Sequence, residues 1–116
     1  MINKGVRGAI TVEENTKSSI HKAVIELMTE LKDKNNISED NISHIIFTLT
    51  EDLDAEFPAK FVRCDFKWNK AAMLCMHEIN VPGSLKKCLR VLIVLNCDDD
   101  FEPEFVYLKG AAVLRG

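Results

Sequence analysis

The chain has 116 residues, of which 47% are hydrophobic and 28% charged, and its formal net charge is -3. That is enough chain for one domain (1–116) with a real core, and no apolar run approaches the ~20 residues that span a bilayer. The charge balance, without a basic stripe, argues against nucleic acid as the main partner. The opening Met-Ile-Asn-Lys-Gly-Val-Arg-Gly lacks the apolar core of a signal peptide, so a cytoplasmic protein is expected.

Residues 2–12 alternate with period two, which predicts a strand. Val6, Gly8, Ile10 and Val12 share one face, and Arg7, Ala9 and Thr11 the other. Arg7 therefore projects from the less apolar face, and Gly8 beside it allows close approach. Residues 16–35 form the clearest helix, with Asn15 or Thr16 as cap. Its stripe is Ile20, Ala23, Val24, Leu27, Met28 and Leu31, at helical spacing, and His21 is expected at the surface. A short turn or loop over 38–41 precedes a β-branched run at 42–50, read as a strand. An acidic loop follows. Phe57-Pro58-Ala59-Lys60-Phe61-Val62-Arg63 opens a second, short helix, with proline at its first position.

Residues 71–79 read as a strand that reaches Glu78. Residues 89–97 are the most apolar stretch and predict a central strand. Asp98, Asp99 and Asp100 make an acidic turn, and residues 105–114 predict a last strand carrying Tyr107. Trp68 and the methionines are expected in the core. The order β-α-β-α-β-β-β predicts an α+β fold, a mixed or mostly antiparallel sheet with two main helices. Two helices cannot cover both faces of five strands, so a second subunit is expected over the open face.

Three features bear on chemistry. The four cysteines, at 64, 75, 88 and 97, show no Cys-x-x-Cys spacing, and free thiols, most of them buried, are expected in a reducing compartment. His21, His44 and His77 lack metal-ligand spacing, and no metal site is expected. The basic residues comprise eleven lysines but only four arginines: Arg7, Arg63, Arg90 and Arg115. Lysine suits a solvated surface, whereas the planar arginine fork suits carboxylates. Between Cys75 and Val91, Pro82 and Gly83 break the chain between Glu78 and Arg90. A strand, an irregular turn and a strand would bring these opposite charges to one pocket at a sheet edge. Taken alone, the same pattern describes a surface ion pair of little consequence.

Several strings line up with one family: Arg7-Gly8-Ala9, Phe57-Pro58-Ala59-Lys60 with Arg63, Cys75-Met76-His77-Glu78, Gly83 through Val91, Tyr107-Leu108, and Val113-Leu114-Arg115. In that order and spacing the chain resembles the AroH-class monofunctional chorismate mutases over nearly its full length. The resemblance implies a homotrimeric pseudo-α/β-barrel with sites at the subunit interfaces. It implies rearrangement of chorismate to prephenate, on the route to phenylalanine and tyrosine, without cofactor. Arg90 would contact the breaking ether oxygen and a carboxylate. Arg7 and Tyr107 would hold the enolpyruvyl carboxylate. Glu78 and Cys75 would face the ring hydroxyl, and Phe57, Ala59 and Leu114 would form apolar wall, with Lys60, Arg63 and Arg115 at the rim.

Two departures stand out. Leu74 occupies a substrate-binding position where close relatives often have threonine. The chain also stops at Gly116, where relatives usually carry a further tail that closes over substrate, which bears on substrate retention. A pericyclic shift needs no nucleophile or proton transfer. It needs the dianion held in its reactive shape and charge placed where the transition state develops it, roles that fall to Arg90, Glu78 and Arg7. Residues Tyr107 and Leu114 are seven apart, about 23 Å on an extended strand. Either the chain bends near Gly110 or the two serve different sites. Two other readings are a trimeric imine deaminase of the reactive-intermediate type, which lacks the Phe-Pro-Ala-Lys string, and a non-catalytic trimer that binds an aromatic-pathway acid.

Overall fold

Residues 1–115 are described by the computed structural model. Five strands form one sheet: β1 (Ile2–Thr11), β2 (Ile42–Leu49), β3 (Ala72–His77), β4 (Cys88–Cys97) and β5 (Val106–Leu108). They lie in the order β3-β2-β4-β1-β5. The sheet is mixed. β4 pairs antiparallel with β1 and β2, while β5 joins β1 and β3 joins β2 in parallel. β4, the most apolar stretch of the sequence, is the middle strand, as its composition predicted.

Two helices, α1 (Lys17–Asn35) and α2 (Pro58–Asp65), cover one face. α1 starts at Thr16, whose side chain accepts from the Ser19 N–H at 3.1 Å and so satisfies a donor that the helix leaves free. All six stripe residues of α1 are buried. They pack on Val6 and Ile10 of β1 and on Val91 and Ile93 of β4. Leu27 and Leu31 of α1 pack directly onto Gly8. A Cβ there would lie 2.6 Å from Leu31 Cδ1 and 3.2 Å from Leu27 Cδ1. α1 ends at Asn36, in the left-handed region with φ 51°. Asn35, the last residue of α1, is polar yet buried. Its amide donates to the Glu104 carbonyl, and its Oδ1 accepts from the Glu104 N–H at 2.7 Å. This ties the helix end to the approach to β5.

α2 begins with Pro58 at its first position and buries Pro58, Ala59 and Val62. Trp68 is in the core, stacked on Phe66. The methionines divide: Met28 is fully buried, whereas Met76 is exposed on the edge strand β3. Cys88 alone of the four thiols is buried, and Cys64 is exposed, so the expectation of mostly buried thiols fails. His21 is only half exposed. It stacks on Phe61 and pairs with Asp65 at 2.7 Å, linking α1 to α2.

The last segment departs most from expectation. The predicted strand over 105–114 stops at Leu108, and Lys109–Arg115 is a 3-10 helix. Lys109 turns the chain through φ 52°. The Gly110 N–H then donates to Thr11 Oγ1 at 3.0 Å, so a hydrogen bond to β1 captures the turn. Part of the face opposite the helices is covered by this segment, around Tyr107, Cys88 and Ala111. The rest lies open along Ile46, Leu92, Leu74 and Met76, and Leu74 is 59% exposed.

Candidate active site

Strand alternation sends every second side chain of the sheet away from the helices. On β4, Leu89, Val91 and Ile93 are buried beneath the helices, so Arg90 stands on the open face. It lies between Ala9 of β1 and Thr48 of β2 in the ladder. Arg7, paired with Leu92, stands on the same face. Glu78 is one residue past the end of β3, where its N–H donates to the Leu49 carbonyl at 2.8 Å. The strand predicted over 71–79 is therefore shorter, and Glu78 hangs from its end with more torsional freedom than a ladder residue.

Thr48 Oγ1 donates to Glu78 Oε2 at 2.5 Å. The same oxygen lies 3.5 Å from Arg90 Nε. That nitrogen is shielded from solvent and makes no hydrogen bond among the described residues. A buried donor left unmade costs about 1–3 kcal/mol. Here the neighbouring carboxylate charge offsets part of that cost, and the N–H remains free for an anionic acceptor. Arg7 sits over the Phe105 ring, 5.8 Å from its centre, which fixes a guanidinium that no ion pair holds among the described residues.

Tyr107 is buried against Ala9, Cys88 and Ala111. The 3-10 helix carries Leu114 back over it, and Arg115 Nη2 donates to the Tyr107 carbonyl at 3.2 Å. The bend near Gly110 therefore brings Tyr107 and Leu114 to one cleft instead of placing them ~23 Å apart. Arg7, Thr48, Glu78, Arg90, Tyr107 and Leu114 line this cleft of about 250 Å³, with Ile46 and Leu92 beside them.

The remaining predicted site residues are elsewhere in the chain. Cys75 pairs with the buried Phe47 and so faces the helices, on the opposite side of the sheet from Glu78. Within one chain the two do not share a pocket. Cys75 and Phe57, the latter 66% exposed, line a second cleft of about 350 Å³ together with Leu53 and His77. Ala59 is buried in the core of its own chain. Lys60 pairs with Glu56 at 2.9 Å, and Arg63 is exposed on α2. Leu74 projects from the open face of β3. The predicted residues thus fall into two groups: Arg7, Glu78, Arg90, Tyr107, Leu114 and Arg115 around one cleft, and Phe57, Ala59, Lys60, Arg63, Leu74 and Cys75 along the α2–β3 edge.

Burial raises the Cys75 thiol against the opposing pull of the Ala59 N–H and the Arg63 charge. It also raises the Cys88 thiol against Arg90. Both stay protonated near neutral pH, so neither is an activated nucleophile. Two guanidinium groups, one carboxylate and a tyrosine suit a different task. They can hold a molecule with two negative groups and a hydroxyl, and they present a fixed cation to charge that develops on it.

Thr48, which lines the cleft and bonds Glu78, and Phe105, which lies against Arg7, are polar and aromatic partners of the site that the sequence reading missed. Parity along β2 was the available signal for Thr48, which must share a face with Ile46 once Phe47 is placed inside. Phe105 gave none, because its neighbour Arg7 lies far away in the chain.

The chain matches the family model described as chorismate mutase type I over residues 3–116. It is 41% identical over 114 residues to chorismate mutase AroH of Thermus thermophilus, covering 97% of this chain and 93% of that protein. It is 35% identical over 116 residues to chorismate mutase AroH of Bacillus subtilis, covering 99% and 91%. A solved chorismate mutase from Clostridium thermocellum superposes with a TM-score of 0.90 at 47% identity, covering 95% of this chain and 98% of the other.

Proposed function

This chain belongs to the type I chorismate mutase family, and we propose that it rearranges chorismate to prephenate at the cleft on the open face of its sheet. The observation that carries the assignment is the meeting of Arg7, Glu78 and Arg90 in that cleft. Nothing in the sequence order requires three residues so far apart to converge there.

The rearrangement breaks a C–O bond as a C–C bond forms, within one molecule. Arg7 and Tyr107 hold the enolpyruvyl carboxylate and keep the flexible dianion folded. Arg90 faces the ether oxygen, which gains negative charge as its bond lengthens. Its unspent Nε–H is a donor in place before the charge develops, so little reorganisation is needed at the moment of reaction. Glu78 accepts from the ring hydroxyl and offsets positive charge on the ring. No proton moves in the step.

At about 250 Å³ the cleft is smaller than ligand pockets usually are and open on one side. We infer that a second copy of the chain closes it with the α2–β3 edge, supplying Phe57, Arg63, Leu74 and Cys75, with Lys60 at the rim. The exposed apolar surface of Leu74 and Met76 gives that contact a driving force. A closed ring of identical contacts repeats the site at each interface, as in the homotrimer expected from the sequence. The four free thiols accord with a cytoplasmic location, and residues 1–116 act as one domain.

Loss of chorismate and appearance of prephenate, with purified protein in a chelating buffer, test the assignment. Turnover is expected. A folded, assembled protein without turnover contradicts it.

A further inference from the structure

We propose that Thr48 is the positioning residue for Glu78: it decides which carboxylate oxygen meets the substrate and keeps the carboxylate from closing onto Arg90. The inference rests on the reading of the cleft above. It concerns a residue of β2 for which neither the sequence motifs nor the chemistry of the rearrangement supplied a role.

Thr48 is level with Arg90 on one side and Met76 on the other. Its neighbours Phe47 and Leu49 are buried under the helices, so the Thr48 side chain faces the cleft. A β-branched side chain in a central strand has restricted χ1 freedom, which makes the hydroxyl a fixed point. Glu78, beyond the end of β3, is not fixed in this way. Its backbone is held by one hydrogen bond to Leu49, and its side chain has three torsions of its own.

Thr48 has a single hydroxyl proton, and it is given to Glu78 Oε2. Oε1 has no hydrogen-bond partner among the described residues and is left to accept from the substrate hydroxyl. The hold on Oε2 also sets its relation to Arg90. At 3.5 Å the two charges attract, but the geometry forms no hydrogen bond. Without the Thr48 hydroxyl, Glu78 is free to rotate and complete that bond. The guanidinium would then be spent on the protein's own carboxylate before substrate arrives.

Two variants separate this role from simple packing. Thr48→Val keeps the shape and removes the donor, while Thr48→Ser keeps the donor. Thr48→Val is expected to lower kcat about 10-fold, as coupled neighbours do, and Thr48→Ser to stay close to wild type. Thr48→Ala serves as a second variant without a donor should the valine disturb folding. In a Glu78→Ala background the loss of the hydroxyl is expected to change kcat less than about 2-fold, because its effect runs through Glu78. Wild-type turnover together with an unaffected Thr48→Val overturns this inference alone, as does an undiminished loss in the Glu78→Ala background. Absence of wild-type turnover overturns the reading of the cleft and this inference with it.

Discussion

Arg90 Nε and Glu78 Oε2 lie 3.5 Å apart in the cleft without forming a hydrogen bond. The pair is close enough to stabilise two partly buried charges and loose enough to leave a donor unspent. Replacing Arg90 by alanine removes that donor and is expected to lower kcat by about 10²–10³-fold, roughly 3–4 kcal/mol in barrier height. Arg90→Lys should recover little, because an ammonium on a flexible stem cannot reproduce the planar fork held by β4. Steady-state kinetics on chorismate checks both variants.

Arg7 depends on Phe105, whose ring lies 5.8 Å from its guanidinium carbon. An exposed cation–π contact contributes about 0.5–1 kcal/mol, so Phe105→Ala should raise KM roughly 2- to 5-fold. The change in kcat should be smaller, because Arg7 is assigned to a carboxylate that is charged before and after the reaction. An unchanged KM would remove Phe105 from the account of Arg7.

Gly8 has a packing role that its place in the Arg-Gly-Ala string conceals. A methyl group there meets Leu31, Leu27 and Val91 at 2.6–3.2 Å. Gly8→Ala should destabilise the protein by about 1–3 kcal/mol through overpacking between α1 and the sheet. Thermal unfolding is the check.

Asp52 anchors the loop that leads into β4. Its carboxylate accepts from Thr50 Oγ1 at 2.5 Å and from the Lys87 N–H at 3.0 Å. Burial raises its pKa, but these hydrogen bonds and the charge of Lys86 outweigh it, and the net shift is downward. A group with a lowered folded-state pKa adds stability above its unfolded-state pKa and loses it as pH falls through the folded one. Wild type should therefore lose stability below about pH 4, whereas Asp52→Asn lacks this part of the acid dependence. Denaturant titrations of both proteins between neutral and acid pH measure the difference.

How far the sequence could be read follows from which forces were local. The α1 stripe and the alternation of β1 and β4 are periodic, and the structure keeps them. Alternation also put Arg7 on the correct face. The segment after Leu108 misled because Lys-Gly-Ala-Ala-Val-Leu is compatible with a strand. The chain turns at Lys109, and a hydrogen bond from Gly110 to Thr11 holds the turn against β1, a tertiary contact with no mark in local composition. The division of the site has the same origin. Cys75 and Glu78 are three residues apart and read as neighbours, yet an odd spacing at a strand end sends them to opposite faces of the sheet.

The most direct test of the account uses two defective chains. Arg90→Ala spoils the open-face half of the site, and Phe57→Asp sets a negative charge against the substrate from the α2–β3 half. Each variant alone should be nearly inactive. If neighbouring copies share each site, refolding the two together in equal amounts gives trimers in which about a quarter of the sites combine two sound halves. The account predicts about a quarter of wild-type turnover from that mixture. A mixture as inactive as its components, with both variants folded and assembled, would contradict it.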